Sequence, residues 1–145
     1  MKISYGINNL KKTELSDVND LIKQLTKREV KIGWKNINAV MKNEILFVVR
    51  DGKKVIGLAV LTKTWKLTAY VGTIEDVVVD ENYRGQGIGK KLISMIIEKA
   101  KKLKMDYIQL TSHPGRIEAN LLYQKIGFEI RETNSYHFRF ESIQI

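Results

Sequence analysis

Between an apolar strand and a long amphipathic helix the chain reads Arg84-Gly85-Gln86-Gly87-Ile88-Gly89. Alternating glycines there demand a tight strand-to-helix turn, because glycine adopts positive φ freely and lets a ligand approach the backbone closely. The first-turn N–H groups of the helix have no partner within the helix and point out of its end. Strand, glycine turn and helix mouth together make an anion-binding device, for which a pyrophosphate is the fitting ligand. Two familiar phosphate motifs do not match. The dinucleotide fingerprint needs G-x-G-x-x-G, whereas the glycines here are at 85, 87 and 89. A Walker A loop needs a glycine where Arg84 stands and a Ser or Thr where Lys91 stands.

The segments around the turn predict one α+β domain spanning residues 1–145, with a mixed sheet. Lys2 to Ile7 has the pattern of a first strand. Thr13 to Thr26 has that of a helix, with Val18, Leu21, Ile22 and Leu25 on one face. A second helix is expected across Trp34, Ile37, Val40 and Met41. Ile45–Arg50 and Lys54–Thr64 form a hairpin through Asp51-Gly52. Val71–Val79 is the strand before the turn, and Ile88 to Leu103 the helix after it, its apolar face made by Leu92, Ile93, Ile96, Ile97, Ala100 and Leu103. Tyr107–Thr111 follows as a strand parallel to Val71–Val79, because a helix connects the two. Pro114-Gly115 makes a turn, and a helix from about Arg116 to Ile126 stops at Gly127. Phe128–Arg131 and Ser135–Phe140 are expected as closing strands.

Composition removes several classes of chemistry. There is no cysteine, hence no disulfide, thiolate metal site or cysteine nucleophile. Neither histidine, His113 or His137, belongs to a cluster with metal-ligand spacing, so no metal is expected. Met1-Lys2-Ile3-Ser4-Tyr5 lacks the apolar stretch of a signal peptide. Apolar runs such as Ile45 to Val49 fall far short of the roughly 20 residues that span a bilayer. A cytoplasmic protein with no membrane partner is expected. The net charge is +9, with 14 Lys/Arg against 6 Asp/Glu in residues 1–72 and 11 against 10 thereafter. No lysine run is interleaved with aromatics as in nucleic-acid grooves. The charge is therefore assigned to solvated surface and attraction for anionic ligands. A basic nucleic-acid binder stays as a rival that salt-dependent binding would reveal.

The stretch from Ile74-Glu75-Asp76 through Tyr83-Arg84-Gly85-Gln86-Gly87-Ile88-Gly89 resembles the R-x-x-G-x-G signature of the GNAT superfamily of acyl-CoA-dependent N-acetyltransferases. Ala119-Asn120-Leu121-Leu122-Tyr123-Gln124-Lys125-Ile126-Gly127-Phe128 resembles the second block of that family. The I-E-D strand is similar to that of the small-amine and aminosugar branches. The resemblance implies the GNAT fold, a mixed central sheet of about six to seven strands flanked by about four helices. It implies that the amides of Arg84, Gly85, Gln86, Gly87, Ile88 and Gly89, with Lys90 next along, hold the pyrophosphate of acetyl-CoA. It further implies that the backbone of Val77, Val78 and Val79 pairs with the pantetheine arm like an added strand, an opened sheet edge supplying the partners its amides need. Asn120 is a further candidate for pantetheine, although the chain has Arg116 where many relatives carry an Asn near the start of this helix. Tyr123 matches the tyrosine that protonates the CoA sulfur. Dimers are common among similar proteins, so a homodimer is an open expectation.

Acetyl transfer to an amine needs a deprotonated amine, a donor for the oxyanion and a proton for the departing thiolate. Deprotonating a lysine-like ammonium at pH 7 costs about 4.6 kcal/mol, an α-amine about 1.4 kcal/mol. Glu75 and Asp76 are the candidate bases. As strand neighbours they face opposite ways, so they would not share one role; the resemblance favours Glu75. The expected enzyme is an N-acetyltransferase acting by direct transfer on a primary amine of a small molecule or a protein. The alternatives are a protein or peptide amine acetyltransferase of the same fold and a non-catalytic CoA-binding regulatory module. The lysine-rich N-terminal half favours an anionic acceptor over a polycation.

Overall fold

The computed structural model describes residues 1–140. These form two compact units, one from Met1 to His113 and one that begins at Pro114. In the first unit the elements are β1 (Ile3–Ile7), a 3₁₀ turn (Lys12–Glu14), α1 (Leu15–Thr26), α2 (Trp34–Asn43), β2 (Ile45–Asp51), β3 (Lys54–Trp65), β4 (Tyr70–Val79), a second 3₁₀ turn (Glu81–Tyr83), α3 (Ile88–Lys102) and β5 (Tyr107–Leu110). The second unit holds α4 (Ile117–Ile126).

The five strands lie in sequence order. The first three pairings are antiparallel and β4–β5 is parallel, as the helical crossover through α3 requires. The continuous apolar runs of β2 and β3 are those of strands buried on both faces. Residues 45–49 and 55–61 are buried without a break. On one face Leu46, Val48, Leu58, Val60 and Val78 form a core with Val18 and Leu21 of α1 and Ile37 of α2. Alternation sends Phe47, Val49, Ala59 and Leu61 to the opposite face, where α3 contacts β2, β4 and β5 and buries Leu92, Ile93 and Ile96 completely.

Polar anchors set the angles of entry. Arg50 grips Glu14 with two parallel bonds, Nε to Oε2 at 2.7 Å and an η nitrogen to Oε1 at 2.8 Å, and this pairing holds the Glu14 carboxyl below its ordinary pKa. Glu14 also accepts from the Lys11 N–H, so one carboxylate both caps the first turn and ties it to β2. Asp17 accepts from the Val55 N–H at 3.0 Å and joins α1 to the start of β3.

The expected closing strands are a correction. Among the described residues, Phe128–Arg131 and Ser135–Phe140 form no strand and the sheet has five strands rather than six or seven. Alternating side chains are only half of a strand; a partner backbone must also accept the ladder. Ile130, Tyr136, Phe138 and Phe140 are all largely exposed.

Candidate functional site

The first element of the site is a fault in the β3–β4 ladder. Val60 pairs with Glu75, and Leu58 with Val78. Two residues, Asp76 and Val77, therefore oppose the single residue Ala59, which is a β-bulge. Asp76 takes the extra turn at φ 53, a left-handed conformation that Asp tolerates better than most side chains. The bulge cancels the simple parity of a strand and re-aims the carboxylate.

Asp76 lines a cavity of about 170 Å³ between α1, α2 and the sheet. Nine of the lining residues are aliphatic, including Val18, Ile22, Ile37, Val40, Leu58 and Val60; Asn36 is the one other polar residue. Asn19 builds part of this wall from behind. Its Oδ1 accepts from the Ile32 N–H at 2.6 Å and its Nδ2 donates to the Ile32 carbonyl at 3.3 Å, which seats Ile32 in the lining. Asp76 is reached by solvent, yet burial among these apolar groups pushes its carboxyl pKa up. Glu75 is raised as well, first by burial and then by the charge of Asp76. Glu75 is not among the lining residues, and no lysine or arginine of the basic N-terminal half is either.

The other edge of β4 supplies the second element. Its parallel ladder with β5 runs from Val71↔Tyr107 to Ile74↔Leu110 and ends there. From Glu75 to Val79 the strand continues beside β3 alone among the described residues. The side chain of Val78 is buried as core. Just past the end of β5, Ser112 has a buried Oγ with no hydrogen-bond partner among the described residues; nothing in the sequence singled this serine out.

The glycine turn is the third element. Gly85 and Gly87 adopt φ 78 and φ 79, and a Cβ at either would meet no atom within 4 Å. Backbone torsion, rather than crowding, calls for glycine at both. Gly87 is the N-cap of α3, no side chain caps the helix, and its first turn holds no acidic residue. That turn carries Lys90 and Lys91, the reverse of the charge a helix N-terminus attracts. The turn is held from several sides. Buried Asp80 accepts from the Asn82 N–H at 2.9 Å, the Tyr83 hydroxyl donates to Asp51 at 2.7 Å, and Arg84 Nε donates to the Val79 carbonyl at 3.1 Å.

Within the second unit, Gly127 takes φ 128 and ends α4. The Phe128 N–H donates to the Tyr123 carbonyl at 2.9 Å and the Gly127 N–H to the Gln124 carbonyl at 3.1 Å. These are the two bonds of a Schellman motif, with the usual apolar contact across it: the Tyr123 and Phe128 rings meet edge to face at 6.0 Å. The Y-x-x-x-G-F spacing is thus a device that locks Tyr123. Burial pushes the Tyr123 hydroxyl pKa up, and Arg116, hydrogen-bonded to it, opposes that rise. Asn120 donates to the Pro114 carbonyl at 3.5 Å.

Among the described residues no group of three or more His, Cys, Asp or Glu could hold a metal ion, and no helix is long and apolar enough to cross a membrane. Residues 14–128 match the model of the acetyltransferase (GNAT) family. An uncharacterized N-acetyltransferase of Bacillus subtilis is 39% identical over 80 residues, 55% of this chain and 50% of that protein. A glucosamine 6-phosphate N-acetyltransferase of Trypanosoma brucei brucei is 40% identical over 62 residues, 43% of this chain and 40% of its own. The chain thus spans about half the length, or less, of these curated relatives. Among solved structures, a Trypanosoma brucei acetyltransferase superposes with a TM-score of 0.78 at 25% identity, covering 95% of this chain and 100% of the other.

Proposed function

Since the chain belongs to the GNAT acetyltransferase family, we propose that it transfers an acetyl group from acetyl-CoA directly to a primary amine. The observation that carries this reading is the coincidence, on consecutive segments, of a helix mouth without a side-chain cap and a strand that runs on past the end of one of its ladders. The mouth of α3 is uncapped and free of acidic residues, and β4 runs on from Glu75 to Val79 after its ladder with β5 has ended. A diphosphate suits the first, and an arm bearing secondary amides suits the second.

Backbone amides from Arg84 to Gly89, with Lys90 beside them, hold the pyrophosphate in this reading, and Val77, Val78 and Val79 pair with the pantetheine. A hydrogen-bonding group of the arm would also satisfy the orphaned Ser112 Oγ. Asp76 receives the acceptor ammonium in its cavity, and solvent-accessible Glu75 relays the released proton. The amine nitrogen attacks the thioester carbonyl, the carbon–sulfur bond breaks, and Tyr123 protonates the departing sulfur while Asn120 contacts the pantetheine. The parts given to Tyr123 and Asn120 rest on family resemblance. With its pKa raised, Tyr123 keeps its proton at neutral pH, as a general acid must.

Calorimetry with acetyl-CoA and CoA, followed by thiol release with small amines and an N-terminal peptide, tests the proposal. Absence of binding ends it, and binding without thiol release identifies a CoA-binding module instead. Tyr123→Phe is expected to lower kcat by roughly 10²-fold or more with little change in CoA affinity; an unchanged kcat removes Tyr123 from the mechanism.

A further inference from the structure

The cavity at Asp76 also restricts the chemistry of the acceptor. We propose that the acceptor is a singly charged primary amine carrying one compact aliphatic or aryl arm, the arm filling the α1–α2 cavity and the ammonium meeting Asp76. This rests on the acetyltransferase reading for the reaction, but its binding half stands apart from acetyl transfer.

Three observations support it. The wall is made of Val18 and Ile22 of α1, Ile37 and Val40 of α2, and Leu58 and Val60 of β3, with three further aliphatic side chains and the amide of Asn36 completing the lining. Such a surface offers one amide, Asn36, to the several hydroxyls of a sugar, and burying the hydroxyls left unpaired is unfavourable. Asp76 is the one charged group in the lining, so a phosphate would meet repulsion, and a second ammonium carried into the cavity on the arm would find no further charged side chain lining it. The size also fits, because an aliphatic cavity of about 150 Å³ accepts a benzene ring and this one measures about 170 Å³. An ammonium arriving beside Asp76 would relieve the cost of keeping that carboxylate charged among apolar neighbours.

The test is titration calorimetry of the full chain, with and without CoA, against n-propylamine to n-hexylamine, phenethylamine, spermidine and glucosamine 6-phosphate. Affinity is expected to rise about fourfold per methylene along the alkyl series and to level off once the cavity is full. Phenethylamine should bind at least tenfold more tightly than either hydrophilic amine. Asp76→Asn and the cavity-filling Val40→Phe should each weaken phenethylamine at least tenfold, with melting curves verifying that both variants fold. If the alkyl series is flat, or spermidine or glucosamine 6-phosphate binds as well as phenethylamine, the assignment is wrong even where acetyl-CoA binds and is turned over. If apolar amines bind as described while acetyl-CoA does not associate, the cavity assignment stands and the acetyl-transfer reading falls.

Discussion

Asp76 concentrates three strains in one residue: a left-handed backbone, a carboxylate among aliphatic side chains and an acidic neighbour in Glu75. A carboxyl whose pKa is raised on folding is more readily ionised in the unfolded chain. The folded state is therefore penalised as pH rises above the unfolded pKa, and the full penalty is present above the folded value. Asp76→Asn removes that charge and keeps a side chain that tolerates positive φ. Its melting temperature should exceed the wild type's at pH 7 and approach it near pH 3; a lower melting temperature at pH 7 would mean that Asp76 is stabilised by a partner. Acetyl transfer by the same variant should be strongly impaired, a trade of stability for function at one site. Asn19 belongs beside Asp76, since its paired bonds to Ile32 shape the cavity wall. Neither its role nor the orphaned Ser112 left a trace in local sequence patterns, because each depends on what lies across the fold.

The elements most legible from sequence are those whose stabilising contacts are close along the chain. Helix α3 was expected at Ile88 to Leu103 and runs Ile88–Lys102, because its apolar stripe repeats at the helical period. The β2–β3 hairpin turns at Gly52, φ 58, as Asp-Gly indicates. The end of α4 at Gly127 was likewise readable, since the Schellman bonds span only five residues. The glycine turn before α3 yields a test of the same kind. An alanine at Gly87 finds open space, so its cost is torsional, roughly 1–2 kcal/mol. Gly87→Ala should lower the melting temperature by a few degrees and weaken CoA binding in calorimetry, since relaxation of the torsion would turn the first amides of α3 aside. Unchanged CoA affinity would mean that these amides do not hold the pyrophosphate.

For the molecule as a whole, ligand binding and stability are one equilibrium. Acetyl-CoA binds only the folded chain in the proposed reading, so at 100 times its Kd it should add about 2.7 kcal/mol and raise the melting temperature by roughly 5–10 °C. A melting temperature indifferent to acetyl-CoA would contradict the cofactor assignment. Fold class and the place of the glycine turn followed from periodicity and turn residues, which act between near neighbours, and the parallel β4–β5 pair followed from the helix that connects its strands. Expected strands at Phe128–Arg131 and Ser135–Phe140 had the right alternation, yet alternation cannot supply a pairing partner, and none is made among the described residues. The choice between Glu75 and Asp76 was beyond any count of parity, because the register of β4 is set by β3. Only when Val60 meets Glu75 and Leu58 meets Val78 does one residue become surplus, and the surplus brings Asp76 to the cavity. Local order is written in neighbouring side chains; the chemistry of the site arises where distant segments disagree by one residue.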